Sequence, residues 1–204
     1  MAHKVFISYK KEDLQFKNQL VSLFNQNKVD VIDKSLNDII PSDNLDYVMQ
    51  VLRRDYLSDS TVTIFLIGEH SSEREGNDFQ GRPHQAFIKK ELQATLFDRE
   101  NNSRSGLLGV VLPNMYDKVY QGTSICSTCG GTHNIVAIDD STVIKEFSAN
   151  YYIKPHNKCA YTEDDRYAVL VKWDEFYSSP EVFIDQAFDK RKEPVANRVT
   201  VYPK

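Results

Sequence analysis

The stretch "TVTIFLIG", residues 61 to 68, limits the fold more than any other part of the chain, because it is apolar and β-branched with no period-two alternation. A strand with one wet face alternates; one that does not is buried on both faces, as happens inside a parallel sheet covered by helices. The flanking segments fit such a sheet. "KVFISY" (4–9) is a short apolar run that leads into "KKEDLQFKNQLVSLFNQN", where Phe16, Leu20, Leu23 and Phe24 recur at helical spacing. "VDVID" (29–33) reads as a second strand. After a loop around Pro41, "SDNLDYVMQVLRRDYL" sets Leu45, Val48, Met49 and Leu52 on one helical face behind a Ser/Asp cap. A helix beginning near Pro83, a strand in "GLLGVVLP" (106–113), a strand in "YAVLVKW" (167–173) and a helix over 179–192 capped by Ser179 complete the series. The class is therefore α/β: a central parallel sheet with helices on both faces and right-handed crossovers, flavodoxin-like, with 61–68 near its middle.

Residues 114 to 165 interrupt this alternation with a polar segment containing glycines and all three cysteines. At 204 residues and 41% hydrophobic, the chain suits one domain over 1–204. Residues 114–165 are then a β-rich insertion before the last βα unit. Inside the insertion, "HNIVAIDD" and "STVIKEF" can pair as a hairpin that buries Ile135, Ala137, Val143 and Phe147. The tail "EPVANRVTVYPK" reads either as an extra edge strand or as a loose end.

Charge and cysteine content narrow the partners. The net charge of −4, with 25 basic and 29 acidic side chains and no long basic run, argues against nucleic acid. No apolar run is long enough to span a bilayer, and "MAHKVFISY" lacks the apolar core of a secretion signal, so the expectation is a cytoplasmic protein without a membrane partner. An odd number of cysteines fits a reducing compartment.

The order of "VFISY" running into a polar helix, "VDVIDKSL", "TVTIFLIG" and an aromatic-x-x-x-Glu-Leu helix resembles the Toll/interleukin-1 receptor (TIR) domain. With the late "VKWDEF" it is similar to the bacterial TIR-like proteins of Thoeris anti-phage defence systems. The resemblance covers roughly 4 to 113 and the final strand and helix. It implies an enzyme that cleaves the nicotinamide–ribose bond of NAD and makes a cyclic or conjugated ADP-ribose signal for a downstream effector. NAD would be the substrate, no cofactor would be needed, a phage-derived product would be the trigger, and a homo-oligomer is allowed for. It also implies that Glu91 is the catalytic carboxylate and that Phe87 stands where a tryptophan is usual. Ser8, Tyr9 and Lys10 at the end of the first strand, and Asp33 closing the second, would bind the nucleotide.

Helical geometry leaves two readings of Glu91 open. Ile88, Leu92 and Leu96 make the buried stripe of "FIKKELQATLF", and Phe87 and Glu91 lie together on its border. The carboxylate either lines a cleft at the strand ends or is a solvated helix residue. Phe87 or Tyr9 could stack on a ring, and Lys10 or Lys11 could meet a diphosphate as point charges. The loop carrying His70 and His84 crosses the cleft mouth, either as a gate or as a plain polar connection. Two other functions fit the same pattern: a non-catalytic TIR assembly module, and a nucleoside deoxyribosyltransferase-like enzyme with a helix-borne glutamate.

The cysteines pose a separate question. Cys126 and Cys129 form C-x2-C, and His156 and Cys159 form H-x2-C, a four-ligand spacing that suits zinc. A hairpin packed by its own apolar residues needs no metal, and the expectation taken forward is none.

Overall fold

Residues 61–68 supply the middle strand of a five-stranded parallel sheet. The protein is described from a computed structural model that covers residues 3–27, 29–32, 45–57, 60–77, 81, 84–98, 103–154 and 156–202. The strands are β1 (Lys4–Ser8), β2 (Asp30–Ile32), β3 (Val62–Ile67), β4 (Gly106–Val111) and β7 (Val169–Lys172), in the order β2-β1-β3-β4-β7. Every side chain of β3 and β4 is buried, which is why neither alternates. Between the strands run helices α1 (Leu14–Asn27), α2 (Leu45–Leu52) and α3 (Ala86–Leu96). The chain closes with α6 (Trp173–Ser178) and α7 (Pro180–Asp189). The Ser/Asp cap before α2, Pro41 and Pro83 lie outside the described residues. Ser179 makes no side-chain cap; Pro180 starts α7 instead, with its φ already suited to a helix.

Strand pleating sends alternate residues to two cores. Val5, Ile7, Ile64, Leu66, Leu108 and Val110 pack against Leu20 and Phe24 of α1, Phe176 of α6 and Ile184 of α7. On the other face, Phe65, Ile67, Leu107 and Val111 pack against Ile88, Leu92 and Leu96 of α3. Phe6 on that face meets Val48, Met49 and Leu52 of α2.

The insertion departs from the expected hairpin. A short helix α4 (Tyr116–Val119) feeds an antiparallel pair, β5 (Tyr120–Ile125) and β6 (Thr132–Val136). "STVIKEF" is not a strand but runs into helix α5 (Lys145–Tyr151), whose Phe147 ring packs at a tilt against Phe65 in the sheet core, with centroids 5.7 Å apart. Val143 and Phe147 are buried as expected, whereas Ile135 is exposed. His156 turns away from the cysteines and stacks on Tyr161 with ring centroids 3.7 Å apart. The tail is neither an edge strand nor loose. Residues Pro194–Arg198 form a 3-10 turn with Val195 and Ala196 buried, and the Asn150 side chain both donates to the Thr200 carbonyl and accepts from the Thr200 N–H.

Candidate functional site

In this strand order the chain crosses from β2 on one side of β1 to β3 on the other, so the crevice for a ligand opens beyond the C-terminal ends of β1 and β3. Ser8 is the last residue of β1 and stands in register with Phe65 of β3. Pleating puts Ser8 on the Phe6 face, the one covered by α3. Its Oγ donates to Oε2 of Glu91 across 2.7 Å. One helical turn on, Thr95 Oγ1 donates to the Glu91 carbonyl oxygen, 2.9 Å, and lies 2.8 Å from Thr63 Oγ1 of β3. With its own proton committed, Thr95 accepts from Thr63. A polar row therefore runs between α3 and the sheet, beside the apolar row of Ile88, Leu92 and Leu96.

Glu91 is only 4% exposed, which excludes the solvated reading. Burying a carboxylate costs several kcal/mol unless it is partnered, and a leucine there would extend the core at no such cost. Here Ser8 Oγ supplies a partner for the buried carboxylate.

The other expected residues divide. Tyr9 turns to the opposite face, half-buried against the α1 core, with Lys17 Nζ 5.9 Å from its ring centroid. Lys10 Nζ donates to the His84 carbonyl, 2.8 Å, which ties the loop after β1 to the loop before α3. Phe87 packs in the α2–α3 cluster around Phe6 and Met49. The structure thus brings Ser8 and Glu91 together, with Tyr9 and Lys10 at their margin, and leaves Phe87 half-buried against the neighbouring cluster. Asp33 lies outside the described residues. His70 pairs with Glu75 at 3.2 Å, and the Gln85 side-chain amide donates to the carbonyls of His70 and Ser72, so the loop after β3 is hydrogen-bonded onto the body.

Two charged residues at this rim escaped the sequence reading. Asp13 is buried directly after β1, and its Oδ2 makes no hydrogen bond among the described residues. Desolvation and the nearby Glu12 push its pKa up to about 6 against the pull of His70 and Lys10. Its carboxylate lies over Gly68 at the end of β3, where a Cβ would sit 2.3 Å from Oδ1, so this close approach requires glycine. Lys17, also buried, follows one turn later on α1. The signal was present: Asp13, in the 3-10 turn Lys11–Asp13, and Lys17, Leu20 and Phe24 on α1 recur at helical spacing, so two charges continue the line of the buried stripe. A separate groove of about 850 Å³ lies between the insertion and the C-terminal segment, and takes no lining residue from β1 or α3.

The family model for the Thoeris protein ThsB, TIR-like domain, matches residues 6–116, more than half of the chain. The chain belongs to that family. No curated protein and no solved structure matches it. Membership in this TIR-like family points to a role in Thoeris-type defence. The matched span holds Ser8, Lys10, Asp13, Gly68 and Glu91, and it ends at Tyr116, before the hairpin and the cysteines. No helix among the described residues is long and apolar enough to cross a membrane.

Proposed function

We propose that the protein is an NAD-consuming TIR enzyme of antiviral defence that breaks the nicotinamide–ribose bond with Glu91 as its catalytic carboxylate. The observation that carries this reading is the buried Ser8–Glu91 hydrogen bond at the mouth of the β1/β3 crevice. The nicotinamide of NAD is a pyridinium. When its bond to the anomeric carbon breaks, the electron pair goes to the ring nitrogen and a neutral base departs without needing a proton, unlike the oxygen leaving group of a glycosidase. One carboxylate suffices. It would accept hydrogen bonds from the ribose hydroxyls and oppose the positive charge growing on the sugar, an effect of several kcal/mol in a site with little water. Ser8 would hold the carboxylate in place, Lys10 would leave the His84 carbonyl to meet the diphosphate, and Tyr9 would stack at the rim. Capture of the anomeric carbon by a nucleophile of the same molecule or of a second one would give a cyclic or conjugated ADP-ribose, the signal that would act on an effector partner.

The test is incubation with NAD and, separately, with deoxynucleosides, each with and without phage lysate, followed by chromatography. Nicotinamide release and an ADP-ribose-derived product are expected. Base exchange on deoxynucleosides with NAD left intact would overturn the reading. A non-catalytic assembly role is the second reading, favoured by Glu91 already accepting from Ser8 and by Phe87 packing against the α2 cluster; it predicts self-association with no turnover in any arm.

A further inference from the structure

Beyond the matched span, β5 and β6 form a hairpin with almost nothing to bury. Every residue of β5 after Tyr120 is exposed, and Ile125 at its end is 77% exposed. A two-stranded hairpin of this kind is marginal in water. What its tip does have is an ordered turn that collects sulfur. The Cys126 N–H donates to the Gly131 carbonyl at 2.8 Å, and the Gly130 N–H donates back to the Cys126 carbonyl at 2.9 Å. Gly130, at φ +70°, makes the left-handed step that lets the chain double back. The Gly131 N–H then points at Cys129 Sγ, 3.4 Å away. His133, the second residue of β6, brings Nε2 to 3.2 Å from Cys129 Sγ. From a loop 26 residues further along, Cys159 Sγ reaches 3.5 Å from the same nitrogen.

We propose that Cys126, Cys129, His133 and Cys159 bind one zinc ion in a closed Cys3His site that staples the hairpin tip to the loop around Cys159. All four ligand atoms lie within 4.8 Å of one another, and the three cysteines are unpaired by disulfide. A tetrahedral ion with Zn–S of about 2.3 Å and Zn–N of about 2.0 Å needs ligand atoms roughly 3.5 to 3.8 Å apart, a spacing reached by small side-chain rotations here. Three sulfurs and an imidazole in a tetrahedron select zinc over oxygen-loving cations. Four protein ligands leave no open position, so the ion is structural. His156, suggested by its H-x2-C spacing, is not a ligand: besides stacking on Tyr161, its Nε2 faces Asp165 at 3.5 Å.

Elemental analysis of the full chain purified without added metal tests this directly. About one equivalent of zinc is expected in the native protein and in His156→Gln, falling at least about tenfold in His133→Ala and Cys129→Ser. Should those two variants misfold, cobalt titration of chelator-treated native protein replaces them. Intense visible bands of a tetrahedral cobalt–thiolate complex, complete at about one equivalent, are expected. Native protein without zinc whose three thiols all react at once with a disulfide reagent overturns the proposal. So does full zinc in Cys129→Ser, zinc lost from His156→Gln but kept in His133→Ala, or a weak octahedral cobalt spectrum.

Discussion

The β1–β3–α3 rim and the β5–β6 hairpin are both polar and both carry reactive groups, yet they are built in opposite ways. At the rim, Ser8, Thr63, Glu91 and Thr95 sit between two packed layers, so every hydrogen bond among them is fixed by apolar neighbours that were buried anyway. The hairpin meets the core only at its base, through the half-buried Tyr120 and Val136, and its reactive groups converge on one another at the tip. Burial fixes a site to the fold as a whole, whereas a cluster of ligands fixes only the segments that carry it. The helix α5 shows that the boundary does not follow the insertion: it lies within residues 114–165, but Phe147 and Tyr151 belong to the sheet core.

That contrast can be broken or sharpened by substitution. The largest effect on stability belongs to Phe147→Ala, a fully buried ring, which should cost about 3–5 kcal/mol by urea denaturation; a loss below about 1 kcal/mol would detach α5 from the core. Asn150→Ala strips both hydrogen bonds from the Thr200 backbone and should cost about 1–3 kcal/mol while making the chain after residue 193 sensitive to protease. Asp13 adds a pH-dependent term. Its folded-state pKa, about 6, is above that of an unfolded aspartate, so its contribution to stability is present below about pH 4 and is lost as pH rises through about 6. Asp13→Asn should therefore gain melting temperature relative to the native protein between about pH 4 and about pH 8, and a constant difference would remove the titration from Asp13. Smallest of all, Ile125→Ser on the hairpin should change stability by less than about 0.5 kcal/mol, since its side chain meets mostly water.

The sheet was legible because its signal is local: a strand such as Val62–Ile67, buried on both faces, cannot alternate, and the α1 and α2 stripes follow from spacing alone. Glu91 was legible as a candidate only through its likeness to a family. No local pattern tells a buried glutamate from a wet one, and its partner Ser8 is 83 positions away. Phe87 is half-buried against the α2 cluster, a placement that spacing on α3 alone did not show. For the cysteines, spacing favoured His156, but the hairpin register sets His133 opposite Ser124, and it is His133 that lies beside the three sulfurs. The tail was illegible because what holds it is the side chain of Asn150, far off in sequence.

Nicotinamide release by Glu91→Gln, compared with the native protein under identical conditions with phage lysate present, bears most directly on the claim that the rim is a catalytic site. Gln is nearly isosteric and can still accept from Ser8, so folding and melting temperature should hold while the rate falls by a factor of about 10² or more. A folded Glu91→Gln protein that releases nicotinamide at the native rate would contradict it.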